Sequence, residues 1–405
     1  MFVPWKGMAK NMKNVCVITG TRAEYGLLKP LIKKINNDTY MNLQLVATGM
    51  HLSPEFGLTY QEIEQDGFVI AERNEMLLSS DTPNGITKSV GLGTIGFADI
   101  FTRIAPDMVV ILGDRYEALA AATAAMIHRI PIAHIHGGEL TEGIIDDPIR
   151  HAITKMSILH FTTTEEYKNR VIQLGEHPDR VFHVGALGVE NIKKQRLMSR
   201  KELEKNIGIN LDKPYIMVTF HPVTLESNTV EEQIVYLLEA LDSMEDYQIL
   251  FTKANADMDG RVINQKIDAY VNRNKSKAVA FTSLGMIRYL SALRYCEMVV
   301  GNSSSGVIEA PSFHIPTVNI GDRQKGRVRG KSVVDCNCIP EEIINAMHTA
   351  QIMNKNDILR NEDNPYEGKN TSETILSEIK KHLQAGIEIK KCFYDMKQSS
   401  YTEKR

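Results

Sequence analysis

Short apolar runs rich in β-branched residues alternate with amphipathic segments along most of this chain, and this alternation restricts the folds open to it. Strand candidates before residue 185 are Val15–Thr19, Leu43–Thr48, Met108–Leu112, Pro131–Ile135, Ile158–Thr162 and Val181–Val184. Later strand candidates are Tyr215–Phe220, Gln248–Thr252, Ala278–Phe281, Met298–Val300 and Thr317–Ile320. Helical candidates lie between them, at Leu27–Ile35, Ala118–Ile127 and Ser227–Leu241. The pattern predicts an α/β fold with parallel sheets built from right-handed βαβ units.

A chain of 405 residues is too long for one ordinary core, and its polarity pattern suggests where it divides. Residues 185–212 are polar and contain no strand candidate, so they predict a linker. We expect two doubly wound, Rossmann-like domains, 14–185 and 186–371, that face each other across a cleft. Residues 1–13 are predicted to be a disordered extension. In 372–405, a helix near Ser372–Gln384 is expected to pack back on the first domain, followed by a loose polar tail.

Bulk properties exclude several classes of protein. The formal net charge of -3 gives no reason to expect nucleic acid or an anionic membrane as a partner. No apolar run approaches the roughly 20 residues that span a bilayer, and the first residues lack a secretion signal. Cys16 and Cys296 lie in apolar surroundings, which predicts buried reduced thiols. A cytoplasmic protein is therefore expected.

One segment in the second half is typical of a nucleotide site. The apolar strand ending at Val300 leads into Gly301-Asn302-Ser303-Ser304-Ser305-Gly306, and a helix follows with Glu309 in its first two turns. Free N–H groups and hydroxyls at a helix N-terminus favour a pyrophosphate. An acidic residue shortly afterwards can accept both hydroxyls of a ribose. The segment predicts a nucleoside diphosphate derivative as ligand.

Loops after the other strand candidates carry many ionisable groups. These loops contain Arg22, Asp114, Arg115, His134, His136, Glu139, Asp146, His221, Asn255, Arg323 and Arg327. Singly, each also has a structural interpretation, such as a helix cap for an aspartate or a buried hydrogen-bonded role for His134. Their recurrence at successive strand ends favours a ligand site. His134, His136 and Glu139 lack the convergence of a zinc site, and no GxGxxG fingerprint is present, so neither metal nor NAD nor any other cofactor is predicted.

Several of these motifs occur in the same order in a known family. They are Thr21-Arg22-Ala23-Glu24-Tyr25, Gly113-Asp114-Arg115, His134-Ile135-His136-Gly137-Gly138-Glu139, the run from Asp146 to Lys155, His221-Pro222-Val223-Thr224, and residues 301–306. Over roughly residues 13 to 385 the chain resembles the UDP-N-acetylglucosamine 2-epimerases, most closely their hydrolysing branch. The resemblance implies a GT-B-like fold and a homo-oligomer, dimer or tetramer. It also implies conversion of UDP-N-acetylglucosamine and water to N-acetylmannosamine and UDP through a 2-acetamidoglucal, in sialic acid synthesis.

The resemblance also implies roles for individual residues. Proton transfer is expected from Asp114, Glu139 and Asp146, with His221 assisting at the diphosphate or as a proton donor. The expected substrate-binding residues are Arg22, Arg115, Asn255, Ser303, Ser304, Glu309 and Arg323, and the backbone near Leu284 is expected to meet the uracil. Some relatives have Glu where this chain has His136. The assignment of individual proton transfers between Glu139 and His136 therefore stays open.

Other functions remain open at this stage. The sugar can be UDP-2,4-diacetamido-2,4,6-trideoxyglucose, which leads to legionaminic acid, because the motifs address only UDP and the C1–C2 region. A GT-B glycosyltransferase would use the same UDP site but would not exchange the C2 hydrogen with solvent. A silent nucleotide-sugar sensor would bind UDP without turnover, and a non-hydrolysing epimerase would keep UDP attached. Feedback control cannot be read from residues 259–266.

Overall fold

Two parallel sheets form the framework of the protein. In a computed structural model, residues 12–78, 80–226, 229–255, 257 and 259–396 are described. One sheet has seven strands and the other six, and every strand pairing is parallel. The predicted α/β fold with two doubly wound units is confirmed.

The first sheet follows the order β3-β2-β1-β4-β5-β6-β7. Its strands are β1 (Lys13–Thr19), β2 (Met41–Thr48), β3 (Ile70–Asn74), β4 (Met108–Leu112), β5 (Ile132–Ile135), β6 (Leu159–Thr162) and β7 (Val181–His183). Its helices are α1 (Arg22–Asn36), α2 (Tyr60–Gln65), α3 (Pro83–Ile104), α4 (Tyr116–Ile127), α5 (Asp146–Met156) and α6 (Glu165–Gln173). The central strands read as continuous apolar runs because helices cover both faces of the sheet. β4, for example, is buried throughout.

The second sheet follows the order β10-β9-β8-β11-β12-β13. Its strands are β8 (Tyr215–Thr219), β9 (Gln248–Thr252), β10 (Ala278–Phe281), β11 (Met298–Gly301), β12 (Thr317–Ile320) and β13 (Val333–Cys336). The helices of this half are α9 (Val230–Asp242), α10 (Gly260–Arg273), α11 (Gly285–Tyr295), α12 (Ser304–Ile308) and α13 (Pro340–Lys355). In both sheets the strand order reverses at the first strand of the unit, because the next two strands are added on one side of it and the later strands on the other. Folds of this kind bind their ligands at the point of reversal.

The segment between the two sheets is helical, which the linker interpretation did not anticipate. It forms α7 (Leu187–Lys194) and α8 (Arg200–Ile207), and Leu203 and Ile207 are buried against the second sheet. Ser199 and Glu202 form a reciprocal capping box that starts α8. The division near residue 185 therefore stays a prediction, although each sheet lies wholly on one side of it.

The C-terminal residues return to the first half of the chain. The last helix, α14 (Thr371–Ala385), packs on α1, and Ile375 and Ile379 are buried in the core of the first sheet. The tail after it was expected to be loose, but residues 386–396 cross the same half. Lys391 donates to both Glu176 oxygens at 2.9 Å and to the Ser157 carbonyl.

At the other end, the predicted disordered extension overlaps β1, because Lys13 already pairs with Met41. Residues 1–11 and 397–405 lie outside the described residues, as does Ser227, the first residue of one predicted helix. Cys16 and Cys296 are buried free thiols, as predicted. No helix in the described part of the chain is long and apolar enough to cross a bilayer.

Candidate active site

The carboxyl ends of both sheets open toward one cleft, and the loops that follow them carry the polar residues. From the first sheet come the loops after β1, β4 and β5 together with the start of α5. From the second sheet come the loops after β8, β9, β11 and β12. The two sets touch: Ile145 donates its backbone N–H to Thr224 Oγ1 at 3.0 Å, and Leu225 donates to the Gly143 carbonyl at 3.2 Å. The structure therefore has the loops of the two halves in direct contact.

Asp114 follows β4 and is bound by a buried arginine. Arg150 on α5 is 1% exposed and donates from Nη2 to Asp114 Oδ2. The same guanidinium donates to the Glu139 carbonyl at 2.8 Å, to Thr141 Oγ1 at 3.0 Å and to Asp147 Oδ1 at 3.3 Å. Burial opposes ionisation of Asp114, but Arg150 and Arg327 outweigh it and lower the pKa of this carboxyl. Asp114 is therefore an anion at neutral pH.

Asp146, at the first residue of α5, has a different environment. No ion pair within the described part of the chain holds it, whereas Asp114 and Glu139 each pair with an arginine. Burial, followed by the negative charges of Asp114 and Asp257, raises the pKa of Asp146 to about 7. A carboxyl with such a pKa can take up and release a proton near neutral pH. Of the three carboxyls predicted to transfer protons, Asp146 has the environment best suited to it.

Glu139 is buried and is paired with an arginine of the second half. It is 2% exposed, it accepts from Thr163 Oγ1 at 3.0 Å, and Arg327 Nη2 from the second half lies 2.8 Å from its Oε2. His136 Nδ1 lies 3.4 Å from Glu139 Oε1. Burial lowers the pKa of His136, so this histidine is neutral at physiological pH. Glu139 thus joins the two halves through Arg327.

His221 follows β8, and its backbone N–H and carbonyl are both hydrogen-bonded to one side chain. Asn302 accepts from the His221 N–H at 2.7 Å and donates to the His221 carbonyl at 2.8 Å. The ring Nδ1 faces Asp257 Oδ2 at 4.0 Å, and this buried nitrogen forms no hydrogen bond within the described residues. Burial and the charge of Arg323 lower the pKa of His221 to about 3. The imidazole is therefore neutral, and it can donate one proton and accept another.

Arg115 lies among carboxylates. Its Nη1 donates to Asp257 Oδ1 at 3.0 Å, its Nε donates to Glu117 Oε2 at 3.2 Å, and Glu24 lies 3.9 Å away. The predicted phosphate role of this residue therefore competes with three acidic partners in this structure. Burial and the neighbouring charge of Glu117 raise the pKa of Glu24 to about 7.

The nucleotide motif forms a turn after β11 and a helix that is shorter than expected and ends before Glu309. Ser303 is the N-cap of α12 and accepts from the Ser305 N–H, and Ser304 is the first helical residue. Glu309 directly follows the last residue of this short helix, and burial raises its pKa to about 7. A Cβ at Gly188 on α7 would overlap Glu309 Oε1, so the glycine makes room for this carboxylate. The roles of these hydroxyls, N–H groups and of the carboxylate in nucleotide binding stay predictions.

Arg323, after β12, lies beside the same motif. It donates from Nη1 to the Asn302 carbonyl at 3.1 Å, and its buried Nε has no hydrogen-bond partner in the described part of the chain. Asp257 and Asp146 lie near enough to stabilise its charge. A buried guanidinium with unused donors at the end of a strand is suited to an anionic ligand.

Arg22 and Asn255 lie toward the ends of the cleft. Arg22 Nε is 2.9 Å from Glu62 Oε1, and its guanidinium contacts Gly285, next to Leu284, where the base was expected. Gly285 has a φ of +68°, and a Cβ there would overlap Arg22 Nη2. Asn255 lines a cavity of about 420 Å³ between the two halves, together with Asp257.

Sequence reasoning assigned no role to four residues that organise this site. Arg150 and Arg327 bind the carboxylates, Asn302 holds His221 and Arg323, and Asp257 meets both Arg115 and His221. All four residues lie within the quoted motifs or in loops that follow strands, and this position is the feature of the sequence that could have identified them. Within the described residues, no group of three His, Cys, Asp or Glu side chains is arranged to hold a metal ion.

This fold matches that of a class of proteins with solved structures. The enzyme from Neisseria meningitidis described as UDP-GlcNAc 2-epimerase bound to UDP-GlcNAc superposes with a TM-score of 0.73 at 18% identity, covering 91% of this chain and all of that chain. The two facing Rossmann-like units are thus GT-B-like.

The amino-acid comparisons are more specific. The profile of the family described as UDP-N-acetylglucosamine 2-epimerase matches residues 33–380. A Campylobacter jejuni protein named GDP/UDP-N,N'-diacetylbacillosamine 2-epimerase (hydrolyzing) is 46% identical over 80% of this chain and 84% of its own length. The Escherichia coli polysialic acid biosynthesis protein P7 is 39% identical over 95% and 98%. The chain belongs to the UDP-N-acetylglucosamine 2-epimerase family.

Proposed function

We propose that this chain is a hydrolysing 2-epimerase that converts a UDP-activated 2-acetamido sugar and water into UDP and the free C2-epimeric sugar. The observation that carries the proposal is Asp146, a partly buried carboxyl with a pKa of about 7 in the cleft that also contains the nucleotide motif. The family membership and the relatives named as hydrolysing enzymes support it.

We assign the first half-reaction to Asp146. The carboxylate removes the C2 proton while the C1–O bond to UDP breaks, which leaves a 2-acetamidoglucal. Arg323, Ser303 and Ser304 stabilise the departing diphosphate, and the neutral His221 donates a hydrogen bond to it. Water then adds across the double bond: its oxygen forms the bond to C1, and the proton it loses replaces a proton that an acid group of the site delivers to C2, on the face opposite the one that Asp146 deprotonated. The proton held by Asp146 passes to solvent or to the departing UDP. Glu309 accepts the ribose hydroxyls.

We assign Asp114, Glu139 and Arg115 mainly to positioning. Asp114 and Glu139 are paired with arginines, and Arg115 with carboxylates, so their charges orient neighbouring groups. Arg22 lies beside the predicted base site near Leu284, and Asn255 lines the cavity beyond Asp257. The homo-oligomer and the cytoplasmic location stay predictions.

The sugar itself is the open choice. Analysis of the sequence favoured UDP-N-acetylglucosamine, the precursor of N-acetylmannosamine for sialic acid synthesis. Relatives from Campylobacter jejuni and Legionella pneumophila, 46% and 34% identical, are named for diacetylbacillosamine, the 2,4-diacetamido-2,4,6-trideoxy sugar of the legionaminic acid alternative. We therefore propose the diacetamido sugar as the preferred substrate and keep UDP-N-acetylglucosamine as the second candidate.

The reaction class is tested by incubating the protein with each UDP-sugar in deuterated water and following released UDP and the free sugar by proton NMR. We expect a free C2-epimer that carries deuterium at C2. Epimerisation with UDP still attached would identify a non-hydrolysing enzyme. The absence of both UDP release and C2 exchange with either sugar would overturn the proposal and leave a glycosyltransferase or a sensor.

The proposal predicts a pH dependence. Asp146 must be ionised to accept the C2 proton, and its pKa is about 7. The kcat/KM value should therefore rise with pH up to about 7 and level off above it, provided that no other group titrates there. Steady-state rates of UDP release between pH 5 and 9 measure this rise of kcat/KM with pH. A kcat/KM value that falls as the pH rises through 7 would instead make the protonated Asp146 the active form.

A second prediction concerns Glu309. The substitution Gly188→Ala should displace the carboxylate and weaken UDP binding about 10- to 100-fold, the range expected when a hydrogen bond to a charged group is lost. Isothermal titration calorimetry with UDP measures the effect. Gly91→Ala is the matched control, because a Cβ there meets nothing within 4 Å. Unchanged UDP affinity in Gly188→Ala would remove Glu309 from the ribose site.

A further inference from the structure

Asp146 borders a narrow pocket that has apolar side chains along part of its wall. Besides Asp146, this pocket is lined by Ile86, Tyr116, Ile145, Ile149 and two polar residues, Thr224 and Asp257. Ile86 and Tyr116 are only 8% and 7% exposed, so their positions are fixed by packing in the core of the first half. We call Ile86, Tyr116, Ile145 and Ile149 the apolar wall. A group that turns from Asp146 toward the apolar wall meets side-chain hydrocarbon, whereas Thr224 and Asp257 form the polar part of the pocket.

The narrow pocket adjoins the cavity of about 420 Å³. Ile86, Tyr116 and Asp257 line both spaces, so the two lie on either side of these side chains. A volume of a few hundred Å³ is that of a small-molecule site. Asn255 and Asn264 line the larger space, and their side-chain amides can pair with an amide group of a ligand.

The charges in this cavity argue against a second nucleotide as its occupant. Glu55, Glu75, Asp81 and Asp257 line it, and Arg261 is the basic residue among the described lining. Arg261 is itself paired with Glu55, with Nη2 and Oε2 at 3.0 Å. An excess of carboxylates repels a diphosphate. A neutral polar group is the better occupant.

We propose that the apolar wall and the adjoining cavity read the C4–C6 side of the sugar, accepting a methyl group at C6 and an acetamido group at C4. The inference rests on the proposed function, which sets C2 beside Asp146. C4 and C6 then lie within a sugar ring's width of that carboxylate, toward the wall. A C6 hydroxyl there would lose its water without regaining full hydrogen bonding, whereas a methyl group would gain apolar contact. The 4-acetamido group extends into the larger cavity.

The test compares kcat/KM for three substrates in the full-length protein: UDP-2,4-diacetamido-2,4,6-trideoxyglucose, UDP-2-acetamido-2,6-dideoxyglucose and UDP-N-acetylglucosamine. The second and third differ only at C6, so their ratio isolates the methyl group. We expect the wild type to prefer the 6-deoxy sugar about tenfold or more, the discrimination that an apolar pocket achieves. A kcat/KM value that is higher for the diacetamido sugar than for the 2-acetamido-2,6-dideoxy sugar measures the contribution of the acetamido group at C4.

Variants then assign the preference to the wall. Ile86→Asn should lower the C6 ratio about tenfold, by giving the hydroxyl a partner. If Ile86→Asn does not fold, Ile145→Asn, on the more open side of the pocket, makes the same test. The matched control is Ile352→Asn on α13, since Ile352 is 58% exposed and lies outside both spaces.

Each outcome has a distinct meaning. Failure of the wild type to release UDP from any of the three sugars would contradict the proposed function itself. UDP release with no preference for the 6-deoxy sugars would overturn this inference while leaving the epimerase intact. A clear wild-type preference that a folded wall variant retains would also overturn it, because another part of the site would then read C6.

Discussion

The substitution Asp146→Asn is expected to lower kcat about 10³-fold, within the range of a lost general acid or base. The amide keeps the shape of the side chain but cannot accept the C2 proton at any pH in the working range. Binding of UDP should be unchanged, because the diphosphate residues are untouched. Proton NMR in deuterated water should show that C2 exchange and UDP release fall together.

A matched control removes the same charge elsewhere. Asp99→Asn on the exposed side of α3 should leave kcat unchanged. Near-wild-type C2 exchange in Asp146→Asn would contradict the assignment, and would point to His136 or Glu139 as the base.

The same carboxyl should lower the stability of the protein at neutral pH. The pKa of Asp146 is about 7 in the folded state, whereas an unfolded aspartate has a pKa of about 4. Between these values the folded state binds more protons, so this residue makes the free energy of unfolding fall as the pH rises. Asp146→Asn should remove that contribution, making the variant more stable than the wild type above pH 7. Urea denaturation at pH 5 and pH 8 measures the difference.

The substitution Arg150→Met should have the largest effect on stability, lowering the free energy of unfolding by about 3–5 kcal/mol, as expected when one partner of a buried ion pair is removed. Arg150 is 1% exposed and has four acceptors: the Glu139 carbonyl, Thr141, Asp147 and Asp114. Methionine fills the space but satisfies none of them. Asp114, whose side chain is only 21% exposed, then lacks the arginine that pairs with it. Urea denaturation followed by circular dichroism measures the loss.

Two variants make the interpretation of Arg150→Met sharper. Arg103→Met removes an exposed arginine that binds Glu72 through two hydrogen bonds of 3.0 and 2.9 Å. It should leave the free energy of unfolding nearly unchanged, since exposed ion pairs contribute little. Arg150→Lys keeps the positive charge but not the planar set of donors of the guanidinium. Its free energy of unfolding should lie between those of the wild type and Arg150→Met. A stable Arg150→Met protein would mean that the network around Asp114 does not support the fold.

The sequence predicted the central strands of both sheets well but missed two strands at the edges. Ile70–Asn74 forms β3 and Val333–Cys336 forms β13, and each lies at one side of its sheet. Edge strands are partly exposed and contain charged residues, as Glu72, Arg73 and Asp335 show here, so they lack a continuous apolar run. The helices α7 and α8 of the predicted linker were missed for a related reason: most of their residues are polar, so their few buried apolar residues do not form a clear helical pattern.

The amino-acid sequence by itself determined which residues lie at the carboxyl ends of the strands. In a sheet of alternating strands and helices, the loop that follows each strand always begins at that end. It thereby brought Asp114, His221 and Arg323 to one cleft. Only the tertiary structure decided how each ionises. Arg150 lies 36 positions from Asp114, and Arg327 lies 188 positions from Glu139, so these pairs depend on the packing of distant elements. Within the described residues Asp146 has no such ion pair, and burial, together with neighbouring carboxylates, therefore raises its pKa to about 7.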